Sequence, residues 1–125
     1  MRVLLDTHIF LWAVMGNPAL KAPVRRMMEE ADQVYVSAAS IWEIAIKARL
    51  GKIEADADVL VDEIAQVGFL DLPVRLQHAA GVAKLPLYHT DPFDRLLIAQ
   101  AIAEPLKLLT VDTVLAQYSD MVMVV

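Results

Sequence analysis

Short apolar runs typical of strands alternate along this chain with longer segments typical of helices, and this alternation restricts the fold more than any other feature. The predicted strands are residues 2–5, 34–36, 69–72, 106–109 and 121–125. The predicted helices are residues 8–15, 23–31, 38–50, 56–67, 75–83, 92–104 and 113–119. Strands that recur between helices predict an α/β fold, with a mostly parallel sheet of about five strands and helices on both faces.

Prolines and glycines support the helix boundaries. Pro23 and Pro92 stand where helices are predicted to begin, Gly51 and Gly68 stand just past helix ends, and Pro105 stops the late helix. The chain has 125 residues, enough for one hydrophobic core and too few for two. We therefore expect a single domain spanning residues 1–125.

The composition is more apolar than that of a typical soluble protein, with 58% hydrophobic and 22% charged residues. The longest apolar run, residues 9–15, is too short to cross a membrane. Asp6 interrupts the early segment that could otherwise be a secretory signal, and there is no cysteine. These features predict a cytoplasmic protein without membrane contact, and the surplus apolar surface predicts a partner chain.

Acidic residues recur where predicted strands end and helices begin. Asp6 ends the first strand, Asp112 follows the fourth, and Asp91 and Asp94 stand at the start of a helix, whereas Glu43 has apolar neighbours. Ligands of parallel α/β sheets bind at the carboxyl ends of the strands, so we expect these acids to share one site. The net charge of −5 argues against a broad basic surface for nucleic acid, but it allows a compact acidic site.

Each acid also has a purely structural interpretation. Asp6 and Asp112 could cap the helices that follow them, Glu43 could pair with Lys47 one turn later, and Asp94 could serve only the helix dipole. Their common location at strand ends and the adjoining helix starts favours a shared role over four separate ones.

Carboxylates without cysteine favour Mg²⁺ or Mn²⁺ over Zn²⁺. Such ions activate water and stabilise charge on phosphate oxygens, which predicts phosphodiester hydrolysis. His8 and His89 lie near the acids in sequence and could contact a phosphate, whereas His78 is predicted to be structural. No phosphate-binding motif of the P-loop or Rossmann type is present.

Four segments carry a family resemblance: LLDTHIFLW, SIWEIAIKARLGK, HTDPFDRLLIAQA and LLTVDTVLAQYSDMV. In order and spacing they resemble PIN-domain proteins of the VapC toxin type, over essentially the whole chain. The resemblance implies a small metal-dependent endoribonuclease that is encoded with a neutralising antitoxin.

The resemblance also implies the site residues. The catalytic, metal-binding acids fall on Asp6, Glu43, Asp94 and Asp112. Thr110 matches a hydroxyl position before the last acid, and Asp91 is expected to cap the helix that presents Asp94, with direct coordination left open. Thr7 stands where the family pattern tolerates asparagine. The number of ions is left open. Candidate contacts to the RNA backbone are Lys47, Arg49, Lys52 and Arg95.

Two other functions compete with this interpretation. A Mg²⁺-dependent phosphatase could use Asp6 as a nucleophile, but the haloacid dehalogenase pattern needs an acid two residues later, where this chain has His8. A non-catalytic binding module, or an inactive relative, would use the acids only as caps.

The apolar composition and the family resemblance both predict partners. The early helices carry more apolar residues than one core face needs, namely Phe10, Leu11, Trp12, Val14, Met15, Val24, Met27 and Met28. The resemblance implies RNA as substrate and an antitoxin whose helix lies in an apolar groove, with a basic residue that reaches the acidic site. We also expect a homodimer, since two-fold pairing is the commonest oligomer.

Overall fold

The computed structural model describes residues 1–125 and contains five strands, six α-helices and two short 3₁₀ helices. The strands are β1 (Arg2–Leu5), β2 (Gln33–Ser37), β3 (Leu70–Leu72), β4 (Lys107–Thr110) and β5 (Val122–Val124). The α-helices are α1 (Thr7–Met15), α2 (Ala22–Glu30), α3 (Ala38–Arg49), α4 (Ala57–Gln66), α5 (Leu76–Gly81) and α6 (Pro92–Ala103). The 3₁₀ helices are Val82–Lys84 and Thr113–Gln117.

The strands form one sheet in the order β3-β2-β1-β4-β5, and every neighbouring pair is parallel. The chain moves outward from β1 to β3, and then returns to the other side of β1 for β4 and β5. The strand order therefore reverses between β1 and β4, where Leu5 pairs with Leu109. Crevices that bind ligands form at this kind of reversal. The predicted α/β sheet of about five strands is confirmed.

Alternating side chains of β1 divide the core into two clusters, one on each face of the sheet. Val3 and Leu5 join a cluster that includes residues of α1 and α2, whereas Leu4 joins one that includes Leu97 and Ile98 of α6. This alternation follows from the two-residue period of a strand. Fully burying one such aliphatic side chain contributes about 1.5–3 kcal/mol to the stability of the folded protein. The helices cover both faces, as predicted.

Two predicted helices differ from the observed elements. The helix expected at 75–83 ends at Gly81 and continues as the 3₁₀ helix Val82–Lys84. The carbonyls of Val82 and Leu85 accept hydrogen bonds from the Arg95 side chain of α6, which favours the change. The helix expected at 113–119 is a 3₁₀ helix that ends at Gln117, since β5 begins soon afterwards. No helix is long and apolar enough to span a bilayer.

Most of the apolar residues of the early helices pack in the core, so few of them remain free for a partner. Phe10, Val24 and Met28 are buried in the core, and Met15 is 60% exposed. The remaining four, namely Leu11, Trp12, Val14 and Met27, are partly buried against the same cluster. More exposed apolar side chains lie elsewhere, including Leu76 at 91% and Leu87 at 82%.

Candidate metal centre

Asp6 is buried at the carboxyl end of β1, where it serves as the N-cap of α1. Its Oδ1 accepts a hydrogen bond from the Ile9 backbone N–H at 2.8 Å, and its Oδ2 accepts one from the Thr110 hydroxyl at 2.6 Å. Burial raises the pKa of Asp6, although these two hydrogen bonds oppose the increase. Asp6 is thus a helix cap and also a fixed carboxylate at the point where the strand order reverses.

Glu43 is buried in α3 and has a donor on each carboxylate oxygen. Its Oε1 accepts from the Thr7 hydroxyl at 2.7 Å, and its Oε2 pairs with Lys47 Nζ at 2.6 Å. The Ser40 hydroxyl lies 3.0 Å from that of Thr7. The positive partner that a carboxylate in an apolar segment requires is therefore Lys47, whose own pKa is raised chiefly by its hydrogen bond to Glu43.

Asp91 and Asp94 have different positions at the start of α6. Asp91 is the N-cap, and its Oδ1 accepts from the Asp94 backbone N–H at 2.9 Å. The Asp94 carboxylate receives no hydrogen bond from a backbone group, and its pKa is raised to about 7. The causes are burial first and then the charge of Asp91; His89 opposes the rise, and Asp6 and Glu43 add smaller increases. Negative charge is therefore least compensated at Asp94.

Asp112 follows β4 and lies close to Asp94, and both carboxylates lie near Nε2 of His89. His89 Nε2 lies 3.3 Å from Asp112 Oδ2 and 3.6 Å from Asp94 Oδ2. Ligating atoms of these three residues all lie within 4.8 Å of one another. The other oxygen of Asp112 caps the following 3₁₀ helix through the Val114 backbone N–H at 3.0 Å.

The four predicted acids thus meet at one end of the sheet, but not as a single tight cluster. Asp94 and Asp112 lie close to each other and to His89, whereas Asp6 and Glu43 each accept hydrogen bonds from their own donors and act on Asp94 through their charge. The sequence did not indicate that a histidine lies beside two of the acids. The only signal for it was the placement of His89 five residues before Asp94 in HTDPFD.

Arg95 has a different environment from the one predicted. Its buried guanidinium donates to the carbonyls of Pro86 at 2.7 Å, Val82 at 3.2 Å and Leu85 at 3.3 Å. These contacts hold the loop before α6, so the guanidinium is engaged inside the protein and does not face solvent as an RNA contact would. The other basic candidates differ, since Arg49 and Lys52 are exposed at the end of α3.

The donors at this site suit a hard divalent cation. Carboxylate oxygens are the ligands that Mg²⁺ and Mn²⁺ prefer, and the chain has no cysteine. The raised pKa values of Asp6 and Asp94 mean that neighbouring acids and burial oppose full ionisation. A bound cation would remove that opposition, so these residues fit a metal site.

The family model for the PIN domain matches residues 3–121. The chain belongs to the PIN-domain family. It is 30% identical over 116 residues to Ribonuclease VapC22 of Mycobacterium tuberculosis (strain ATCC 25618 / H37Rv), an alignment that covers 88% of this chain and 86% of that protein.

Two solved structures have the same fold. A chain of VapBC2 from Rickettsia felis, bound to a promoter DNA fragment, superposes with a TM-score of 0.73 at 15% identity, covering 100% of this PIN domain and 98% of that chain. A chain of a toxin-antitoxin complex from Klebsiella pneumoniae has a TM-score of 0.68 at 18% identity, with 97% and 95% covered.

Proposed function

We propose that this PIN-domain chain is a metal-dependent endoribonuclease and the toxin of a toxin-antitoxin pair. The observation that carries the proposal is the under-compensated charge of Asp94, which lies among the other acids where β1 and β4 end. The similarity to a ribonuclease of the same family adds the substrate class. The predictions of one domain and of a cytoplasmic location stay part of this proposal.

Asp6, Glu43, Asp94 and Asp112 would hold Mg²⁺ or Mn²⁺. When bound, such an ion supplies an activated water and stabilises charge on the phosphate and the leaving oxygen. The protein's own groups set the geometry of the site. Thr110 and the Ile9 N–H orient Asp6, and Thr7 orients one oxygen of Glu43.

Basic groups beside the site would bind the RNA backbone. Lys47 already lies against Glu43, and its pKa is raised further by the charges of Asp91 and Asp94, so it stays positive at the edge of the acidic crevice. Arg49 and Lys52 extend this positive charge along the end of α3. Contacts to phosphate from such side chains position a nucleic acid without selecting its sequence.

The proposed partners are an antitoxin and a second copy of the chain. Both structural neighbours come from complexes of the toxin-antitoxin kind. A groove of about 490 Å³ between α3 and α4 is lined by apolar side chains that include Ile41, Val61 and Phe69, and it would accept the apolar face of a partner helix. Co-expression with the product of the neighbouring small gene should raise the mass in solution and suppress cleavage.

Amide variants of the acids test the catalytic part of the proposal. Asp6→Asn and Asp94→Asn keep the side-chain shape and remove the charge, so each should lower RNA cleavage by about 100-fold or more while the protein stays folded. Asp62→Asn, on the exposed face of α4, is the matched control and should cleave normally.

The same variants separate the competing functions. No RNA cleavage by the wild-type protein would favour a binding module whose acids are only caps. Full cleavage by both site variants would show that these acids are not catalytic. Hydrolysis of phosphate monoesters without RNA cleavage would favour the phosphatase.

A further inference from the structure

Gln100 of α6 lies at the centre of a buried group of polar side chains. Its Oε1 accepts a hydrogen bond from the Ser37 hydroxyl at 2.6 Å, and its Nε2 donates to the Pro73 carbonyl oxygen at 3.3 Å. Nε2 also lies 3.4 Å from His78 Nδ1, and His78 Nε2 lies 2.6 Å from Glu104 Oε2. Ser37, His78 and Gln100 are fully buried. None of these residues belongs to the proposed metal site.

The neighbours of Gln100 fix the orientation of its amide. The Ser37 hydroxyl, as the N-cap of α3, accepts a hydrogen bond from the Ala39 backbone N–H at 3.0 Å, so its own proton needs another acceptor. Gln100 Oε1 is that acceptor. The Pro73 carbonyl can only accept, so the other end of the amide must be the donor. Glutamine satisfies both neighbours at once, whereas methionine, which has a similar length, satisfies neither.

The hydrogen bond between Ser37 and Gln100 connects the start of α3 to the later half of α6. Further along α3, the ring of Trp42 meets the ring of Phe93 near the start of α6, with the ring centroids 5.1 Å apart. The two helices therefore run in opposite directions along their contact. Trp42 is 60% exposed, so the hydrogen bond is the buried contact of the two.

The same two helices carry two acids of the proposed site. Glu43 follows Trp42 in α3, and Asp94 follows Phe93 in α6. Apolar packing between helices is not directional, whereas a buried hydrogen bond weakens steeply when its geometry changes. A displacement of α3 against α6 would break the bond to Gln100 and would also change the distance between the two carboxylates.

We propose that Gln100 is a positioning residue of the nuclease site, which fixes the start of α3 against α6 and thereby the separation of Glu43 and Asp94. This inference rests on the proposed function, because the separation matters only if the two acids serve one site. Gln100 acts through Ser37 and does not itself contact the site.

The separation of α3 and α6 in the metal-free protein tests the link without relying on activity. Because the chain has no cysteine, Ala45→Cys on α3 and Ile102→Cys on α6, both at exposed positions, can carry nitroxide labels at two defined places. Double electron–electron resonance then measures the distribution of distances between the labels. Gln100→Met and Ser37→Ala should each broaden this distribution or displace its maximum.

The kinetics of RNA cleavage test the consequence for the site. At saturating Mn²⁺, and at a temperature where each variant is folded, Gln100→Met and Ser37→Ala should each lower kcat about tenfold or more, because small displacements of reacting groups cost large factors in rate. KM for RNA should stay unchanged, since flexible basic side chains tolerate a small shift of the helix. The double variant should lose no more than either single variant, because all three lack the same hydrogen bond.

Glu104→Met is the matched control. It removes the partner of His78 from the same buried group but keeps the hydrogen bond between Ser37 and Gln100. This variant should have a lower melting temperature, while its label distances and its kcat should equal those of the wild type. An equal loss of kcat in Glu104→Met would overturn the inference, since a general loosening of the fold would then explain the loss.

Two other outcomes would overturn the inference. One is an unchanged distance distribution in both Gln100→Met and Ser37→Ala. The other is a lower melting temperature with wild-type kcat in both variants, which would identify a purely structural role. A wild-type chain that cleaves no RNA would overturn the proposed function instead, and the label distances would then decide whether the link holds the two helices.

Discussion

Replacing Asp94 with asparagine should stabilise the metal-free protein, although it removes a group we place in the active site. In the unfolded chain this carboxyl ionises near its ordinary value of 3.8, whereas in the folded protein its pKa is about 7. Between these pH values the folded state binds the extra proton, so stability falls as the pH rises through this window. Asparagine does not ionise, and the variant avoids that loss.

The size of the effect follows from the pKa and from exposure. A tenfold change in proton affinity corresponds to about 1.4 kcal/mol, so a rise from 3.8 to about 7 corresponds to about 4 kcal/mol. The Asp94 side chain is 26% exposed, and water screens part of the repulsion it experiences. We therefore expect Asp94→Asn to gain roughly 2 kcal/mol above about pH 8 and almost nothing at about pH 4.

Urea unfolding in excess chelator, at both pH values, measures this gain as a difference in the free energy of unfolding. Asp62→Asn serves as the control and should differ little from the wild type at either pH. Adding Mn²⁺ should stabilise the wild type more than Asp94→Asn, because the ion binds the ionised carboxylate. A variant that is less stable than the wild type at the higher pH, or one whose gain is the same at both, would refute this explanation.

Three further changes probe the contacts around the site. Thr110→Val removes the donor to Asp6, so the pKa of Asp6 should rise further in a nuclear magnetic resonance titration of the metal-free protein, and an unchanged pKa would contradict the assignment. Tyr118→Phe leaves the His89 backbone N–H without its acceptor and should lower the free energy of unfolding in urea by about 1–2 kcal/mol. An unchanged free energy would mean that water replaces the hydroxyl. Lys47→Met leaves Glu43 without its cation and should lower the melting temperature in chelator more than in Mn²⁺; equal losses would argue against a metal next to Glu43.

The sequence predicted the strands well because each is a short apolar run between residues that break regular structure. Their parallel arrangement followed from the helices between them. The strand order could not be predicted, because nothing local in the sequence specifies that β4 pairs with β1 on the side opposite β2. That pairing is what brings Asp6 and Thr110 within 2.6 Å of each other, across 104 positions of sequence.

The acids of the site could be predicted, whereas their surroundings could not. Carboxylates at strand ends are visible in the sequence, but the placement of the His89 ring beside Asp94 and Asp112 depends on a backbone N–H two residues later in a folded loop. Arg95 shows the opposite case. Its charge suggested a contact to RNA, yet the irregular loop before α6 presents several carbonyls to it, and a buried guanidinium satisfies them.

Cleavage of a single-stranded RNA by the purified chain, with and without chelator, tests the central claim most directly. The carboxylates at the ends of β1 and β4 bind hard divalent ions in this account, so cleavage should stop in excess EDTA. It should return when Mg²⁺ or Mn²⁺ is restored, and it should not return in Asp6→Asn. Cleavage that continues undiminished in excess chelator would contradict the metal-dependent mechanism.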